Sequence, residues 1–157
     1  MRILIEVLLA GATVAALAAG PGRPVEPALS LALSTEKPVV KAGEEIWIKI
    51  QLTNKSKQDV NCTSADVGPV SLSYQYDVRD SAGNPVKKLI AHPELIPGHF
   101  RFCNLKPNET ISNDNRISWL YDMTRPGKYI IQVSRSISED EKSGVVKSNA
   151  IIITVTP

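Results

Sequence analysis

At 157 residues the chain has the length of one domain and is too short for two ordinary ones. Hydrophobic residues make up 43% of it, which excludes a chain that is disordered throughout. The 18 Lys and Arg residues are interleaved with 16 Asp and Glu residues to a net charge of +2, so no basic patch indicates a nucleic-acid partner. Eleven Pro and nine Gly residues separate short apolar runs, a distribution that favours strands over helices.

The N-terminus has the pattern of an export signal. Arg2 is followed by an apolar run over residues 3–19, which is interrupted by Glu6 and Thr13 and contains the small-residue pattern Ala16-Leu17-Ala18. A basic start, an apolar run and small residues before a cleavage site are typical of a secretory signal peptide, which we predict at residues 1–19. The alternative is an uncleaved anchor, because the run is close to the shortest length that spans a bilayer.

The rest of the chain then divides into two parts. Residues 20–28, rich in Pro and Gly, are predicted to form a linker, and residues 29–157 a single folded domain. An exported chain is secreted or periplasmic. It contacts a membrane only if its N-terminal segment stays uncleaved.

In chain order, five segments alternate apolar with polar residues, which is the period of a strand with one buried face. They are residues 29–33, 45–54, 71–80, 129–133 and 145–155. The second is the clearest, because Ile48 and Ile50 face one way while Trp47 faces the other.

Weaker patterns lie between these segments. A turn cluster at residues 80–85 predicts a hairpin return over residues 86–90. Phe100 and Phe102 share one face of a short predicted strand that ends at Cys103, and a further strand is predicted through Ile111, Ile117 and Trp119. Loops are predicted at residues 35–43, at 54–68 with at most a short strand near Val60, at 92–98 and at 136–144.

The segment over residues 121–133 organises the predicted fold. Pro126 cannot donate a ladder hydrogen bond and Gly127 tolerates positive φ, so residues 125–128 are predicted to form a tight turn. Tyr129 then opens a late strand, the position of the tyrosine corner in immunoglobulin-like sandwiches. We predict an all-β immunoglobulin-like sandwich of two antiparallel sheets with seven to nine strands.

Three turn motifs carry a resemblance to known families. They are Thr35-Glu36-Lys37-Pro38 with Gly43-Glu44-Glu45, Leu105-Lys106-Pro107-Asn108-Glu109, and Pro126-Gly127-Lys128-Tyr129. Together they resemble bacterial extracytoplasmic immunoglobulin-like or fibronectin-type-III-like domains. The first motif is also similar to macroglobulin-type domains, and the other two are similar to the intracellular proteinase inhibitor family. The resemblance implies a sandwich fold over nearly all of residues 29–157 and says little about function.

Cys62 and Cys103 are the only two cysteines. Two cysteines in an exported chain most often pair, which predicts a disulfide between them. The alternative joins them with His92 and His99 in a tetrahedral zinc site, although the spacing matches no common zinc motif. No cofactor is predicted.

The sequence contains no recognisable catalytic motif. There is no Gly-x-Ser-x-Gly elbow, and Cys103 is predicted to be oxidised. The acidic residues 139–141 lack the alternating oxygen ligands of a calcium loop and are predicted to form a solvated hairpin tip. We therefore predict a secreted or envelope-associated module that acts through contacts with an unidentified protein or envelope component.

Three regions are candidates for such contacts, and the first is the predicted loop over residues 54–68. His92, Pro93, Pro97 and His99 lie in a predicted binding loop. In an alternative hypothesis this loop enters a protease cleft, with its prolines lowering the entropy cost of binding. Trp47 faces away from the predicted core and is either a binding anchor or an ordinary cover of the outer sheet face. A metal-binding protein is the remote alternative.

Overall fold

The computed structural model describes residues 28–136 and 144–157. The predicted signal peptide, nearly all of the predicted linker and the acidic residues 139–141 lie outside the described residues. The described ranges contain eleven strands: β1 (Leu29–Ser34), β2 (Val39–Lys41), β3 (Trp47–Asn54), β4 (Val60–Val67), β5 (Val70–Ser71), β6 (Gln75–Asp80), β7 (His99–Leu105), β8 (Thr110–Arg116), β9 (Gly127–Ser136), β10 (Val145–Lys147) and β11 (Ile151–Thr156). Their helices are two 3₁₀ turns, Pro93–Leu95 and Ile117–Trp119. No helix in these ranges has the length and hydropathy to cross a membrane.

Two sheets contain the strands that the sequence predicts most clearly. The first sheet is antiparallel in the order β1-β3-β8. In the second sheet β9 is the central strand, with β6 along one side and β10 and β11 along the other, all antiparallel to it. β2 pairs with β11 in parallel at the edge. The prediction for β3 is confirmed, because Ile48 and Ile50 are buried and Trp47, on the opposite face, is exposed.

The core lies between the first and second sheets. The first sheet contributes Leu31, Ile48, Ile50 and Leu52, and the second contributes Ile131, Val133, Ile153 and Val155. Each such side chain contributes roughly 1.5–3 kcal/mol when it leaves water completely. Two layers around one apolar core form a sandwich, which confirms the predicted all-β immunoglobulin-like fold. The described residues contain eleven strands rather than the seven to nine predicted, and three of them form a third sheet.

The third sheet has the order β5-β4-β7 and includes a segment that was predicted as a loop. β4 lies inside residues 54–68, and the prediction is wrong there because its buried residues, Cys62 and Val67, lie on opposite faces and give no apolar alternation. The loop prediction for residues 35–43 is also wrong, because this segment contains β2. β2 has only three residues, of which Val40 alone is buried, so it is too short to show a period.

The predicted hairpin return over residues 86–90 does not form a strand. The Val86 N–H donates to Val78 O at 2.9 Å, as a hairpin requires. Beyond that point the chain leaves β6, since the Leu89 N–H donates to Leu120 O at 2.8 Å.

Three other predicted strands are interrupted. The last part of the segment through Ile111 is the 3₁₀ helix Ile117–Trp119, and residues 71–80 divide into the end of β5 and β6. Residues 145–155 form β10 and β11, separated at Ser148, whose hydroxyl oxygen accepts the Val133 N–H at 3.0 Å. At this point the Ser148 hydroxyl, rather than a backbone carbonyl, accepts the hydrogen bond from β9.

The chain bends at Pro126 and enters β9 at Gly127. Tyr129 is buried, and its hydroxyl donates to the Arg125 carbonyl oxygen at 2.8 Å. A tyrosine hydroxyl that bonds back to the chain a few residues upstream is the arrangement of a tyrosine corner. The bond ties the chain before β9 to the core.

Candidate protein-binding surface

β7 is an edge strand. Among the described residues it pairs only with β4, so the backbone groups along its other side have no strand partner. Phe100 and Phe102 lie on one face of β7 and are 78% and 87% exposed, and Leu95, in the 3₁₀ helix before it, is also exposed. Exposed apolar side chains on an unpaired edge are typical of a surface that another chain covers. We call Phe100 and Phe102, together with the free side of β7, the aromatic edge.

The four residues of the predicted binding loop lie before or at the start of β7. His92 is exposed, and its Nδ1 is 3.0 Å from Oε1 of Glu94. Hydrogen bonds from the Glu94 backbone and from His92 hold the pKa of that carboxyl below its usual value. Pro93 begins the 3₁₀ helix and Pro97 follows it. His99 was predicted to lie in the loop but is the first residue of β7.

Gly98 brings this segment against β4. A Cβ at Gly98 would lie 2.5 Å from Asp66 O and 2.8 Å from Cγ2 of Val67, distances that no side chain tolerates. Glycine therefore permits the close approach of the two backbones. As a result, the chain enters β7 in a fixed position.

A disulfide fixes the register of β7 on β4. Cys62 and Cys103 are directly opposite in the ladder and are bonded to each other, with their Cα atoms 5.0 Å apart. The alternative zinc site with His92 and His99 therefore has no thiolate to offer. Across residues 28–136 and 144–157, no three potential metal-ligating side chains come together.

An ion pair joins β4 and β7 nearer the start of β7. Nε of Arg101 donates to Oδ2 of Asp66 at 3.0 Å, and the Ser64 hydroxyl donates to Oδ1 at 2.6 Å. Burial raises the pKa of Asp66, but the hydrogen bonds from Ser64 and Arg101 outweigh this effect and hold the pKa below its usual value. Asp66 is thus a permanent counter-ion for Arg101 at neutral pH.

Between β7 and β8 lies a cavity of about 260 Å³. Its lining includes residues 101–103 of β7, residues 111–113 of β8 and Arg135 of β9. Arg135, only 9% exposed, was not recognised as a candidate from the sequence. The signal was present, because Arg135 continues the inward alternation of β9 that begins at Tyr129.

Trp47 borders a separate, open groove of about 520 Å³. Its side chain is 43% exposed, and its Nε1–H donates to Oε2 of Glu45 at 3.0 Å. Glu45 also pairs with Arg116, and Lys49 lies 3.7 Å from a carboxylate oxygen of Glu36. Two of the groove's carboxylates, Glu36 and Glu45, are thus paired with cations.

Comparison with known proteins supplies a family. The family model described as flagellar collar protein C, N-terminal domain, matches residues 35–156. The chain belongs to this family. The matched residues of this collar-protein domain run from before β2 to the end of β11 and so include the disulfide, the aromatic edge and Arg135. The matching family is neither the proteinase inhibitor family nor the macroglobulin-type domains that the turn motifs resemble.

Similarity of the collar-protein domain to solved structures is distant. The CARDB domain of a Pyrococcus furiosus protein, solved in complex with di-metal ions, is 14% identical, with a TM-score of 0.46 over 82% of this chain and 93% of that one. A β-glucosidase from Erythrobacter marinus is 12% identical, with a TM-score of 0.42 over 82% of this chain and 15% of that one. Similarity of this degree carries no inference about ligands or activity. No curated protein matches the chain.

Proposed function

We propose that this collar-protein domain is a non-catalytic interaction module of the cell envelope and that the aromatic edge is its protein-contact surface. The observation that carries the proposal is the near-complete exposure of Phe100 and Phe102 on a strand with one free side. Burial of each ring on binding would contribute roughly 1.5–3 kcal/mol before the costs of association. The free N–H and C=O groups of β7 would add main-chain hydrogen bonds to an incoming strand.

Two further observations support a location in the envelope. The family's name refers to a flagellar collar, which favours a role in an assembly of proteins. The disulfide between Cys62 and Cys103 favours an oxidising compartment. We include in the proposal that residues 1–19 are a cleaved signal peptide and residues 20–28 a linker, which the mass of the native protein would test.

The aromatic edge suits a protein partner better than catalysis. The side chains that it exposes, Phe100 and Phe102, are apolar, and the nearby His92 is paired with Glu94 in solvent. The alternative of proteinase inhibition requires a free loop that enters a cleft. Residues 99–102 instead belong to β7, so no observation favours that alternative.

The test is complementation of cells that lack the protein. We expect the double variant F100S/F102S to be exported and folded but to leave the flagellar collar unassembled in electron cryotomograms. The matched control is I130S/I152S, which removes another exposed apolar pair that lies in register on β9 and β11. This control is expected to restore the collar. The proposal would be overturned if cells in which F100S/F102S is the only copy of the protein assembled a normal collar.

A further inference from the structure

We propose that the cavity between β7 and β8 receives a carboxylate side chain from an extended, acidic segment of a partner protein, and that Arg135 binds that carboxylate. This inference rests on the proposed function, since it names the chemistry of the partner at one side of the same strand. It commits to a protein segment as the occupant.

The charge of Arg135 calls for such a ligand. One Nη of its guanidinium donates to the Thr63 carbonyl oxygen at 2.6 Å, and the group lies over the Tyr74 ring at 5.5 Å from its centroid. Within the described ranges no carboxylate oxygen comes within 4.0 Å of its nitrogens. A guanidinium has five N–H donors in a fixed plane, and a buried cation without a counter-ion is costly.

The second cation of the cavity does not compete for the ligand. Arg101 also lines the cavity, but it is paired with Asp66. The remaining polar lining is neutral and includes the hydroxyl of Ser112 and the amide of Asn113. Among the residues that the structure describes, the unmatched charge of this cavity is therefore that of Arg135, and a carboxylate would form charge-assisted hydrogen bonds with it.

The strands around the cavity indicate an extended occupant. In the described part of the chain β7 pairs only with β4, and β8 only with β3. The cavity is bounded by three consecutive residues from each of these two edge strands. An added strand satisfies edge groups and directs every second side chain inward. Phe102 and Ile111 line the same cavity and offer apolar contacts on either side of the inward carboxylate.

Peptide binding to the full chain tests the inference. The probe is a pentapeptide of alternating threonine and valine with a central glutamate, and its counterpart has glutamine at the centre. We expect the glutamate peptide to bind at least roughly tenfold more tightly, the ratio that about 1.4 kcal/mol supplies. It should shift the backbone amide resonances of residues 101–103 and 111–113 in nuclear magnetic resonance spectra.

Variants assign the effect to one side chain. R135Q is expected to bind both peptides equally, whereas the control R79Q, which changes an exposed arginine paired with Asp77, keeps the wild-type preference. If R135Q does not fold, R135K provides the second measurement. It keeps the positive charge but not the planar fork, so the preference should fall without vanishing.

Three results would overturn the inference. They are equal affinity of the two peptides for the wild-type chain, an unchanged preference in folded R135Q, and resonance shifts confined to the Trp47 groove. Its failure differs from failure of the proposed function. Equal peptide affinities together with a collar that still depends on Phe100 and Phe102 would reject the carboxylate site alone.

Discussion

The hydroxyl of Tyr129 joins the bend before β9 to the core through one hydrogen bond, 2.8 Å long, to the Arg125 carbonyl oxygen. The ring itself is packed in the core cluster, so its apolar contacts do not depend on the hydroxyl. At this position the two contributions can be separated by a single substitution.

We expect Y129F to lower the free energy of unfolding by about 1 kcal/mol, because the Arg125 carbonyl loses its donor while the ring stays packed. Urea denaturation of the folded domain measures the change. The control is T124S, a hydroxyl-conserving change in the same connection, which should leave stability within a few tenths of a kcal/mol. A loss no larger in Y129F than in T124S would show that the tyrosine hydroxyl does not stabilise the bend.

Residue-level patterns explain both a success and an omission of the sequence analysis. In β9 the alternation of Tyr129, Ile131 and Val133 is apolar and therefore visible, and it correctly predicts a buried face. Arg135 is the next inward position, but a charged residue is normally assigned to the solvent side. The period of β9 nevertheless places Arg135 inward, and its burial beside Tyr74 confirms that position.

At the level of elements, the pair β4–β7 combines a covalent bond with little apolar burial. β4 buries Cys62 and Val67, which lie on opposite faces, and β7 buries only Leu105 fully. β4 cannot be predicted from periodicity, since neither of its faces is continuously apolar, whereas the alternation of Phe100 and Phe102 does predict β7. What the sequence does supply is the cysteine pair that fixes their register.

We expect C62A/C103A to lower the free energy of unfolding by up to about 4 kcal/mol, the chain-entropy value for cysteines 41 residues apart. Amide hydrogen exchange should increase most in β4 and β7, because their ladder loses its covalent bond, while β3 and β9 keep the rates of the core. Uniform acceleration in all four strands would contradict a local role. Unchanged unfolding in denaturant would contradict any stabilising role.

For the molecule as a whole, most of the core and the proposed contact surface lie on different sheets. The first and second sheets hold most of the apolar core, whereas the third sheet contributes fewer core residues and carries the exposed rings of Phe100 and Phe102. The fold class was predictable because the core strands alternate clearly. The contact surface was not predictable as a surface, since it exists only once β4, itself unpredicted, fixes β7 as an edge strand.

The most direct test of the account is site-specific photo-crosslinking in intact cells. A photoreactive phenylalanine analogue is placed at Phe102 in one strain and at Ile152, an exposed position on the second sheet, in another. The account predicts a discrete crosslinked protein species from position 102 that F100S weakens, and none from position 152. Equal crosslinking from both positions, or none from position 102 while the collar is assembled, would contradict the claim that the aromatic edge is the contact surface.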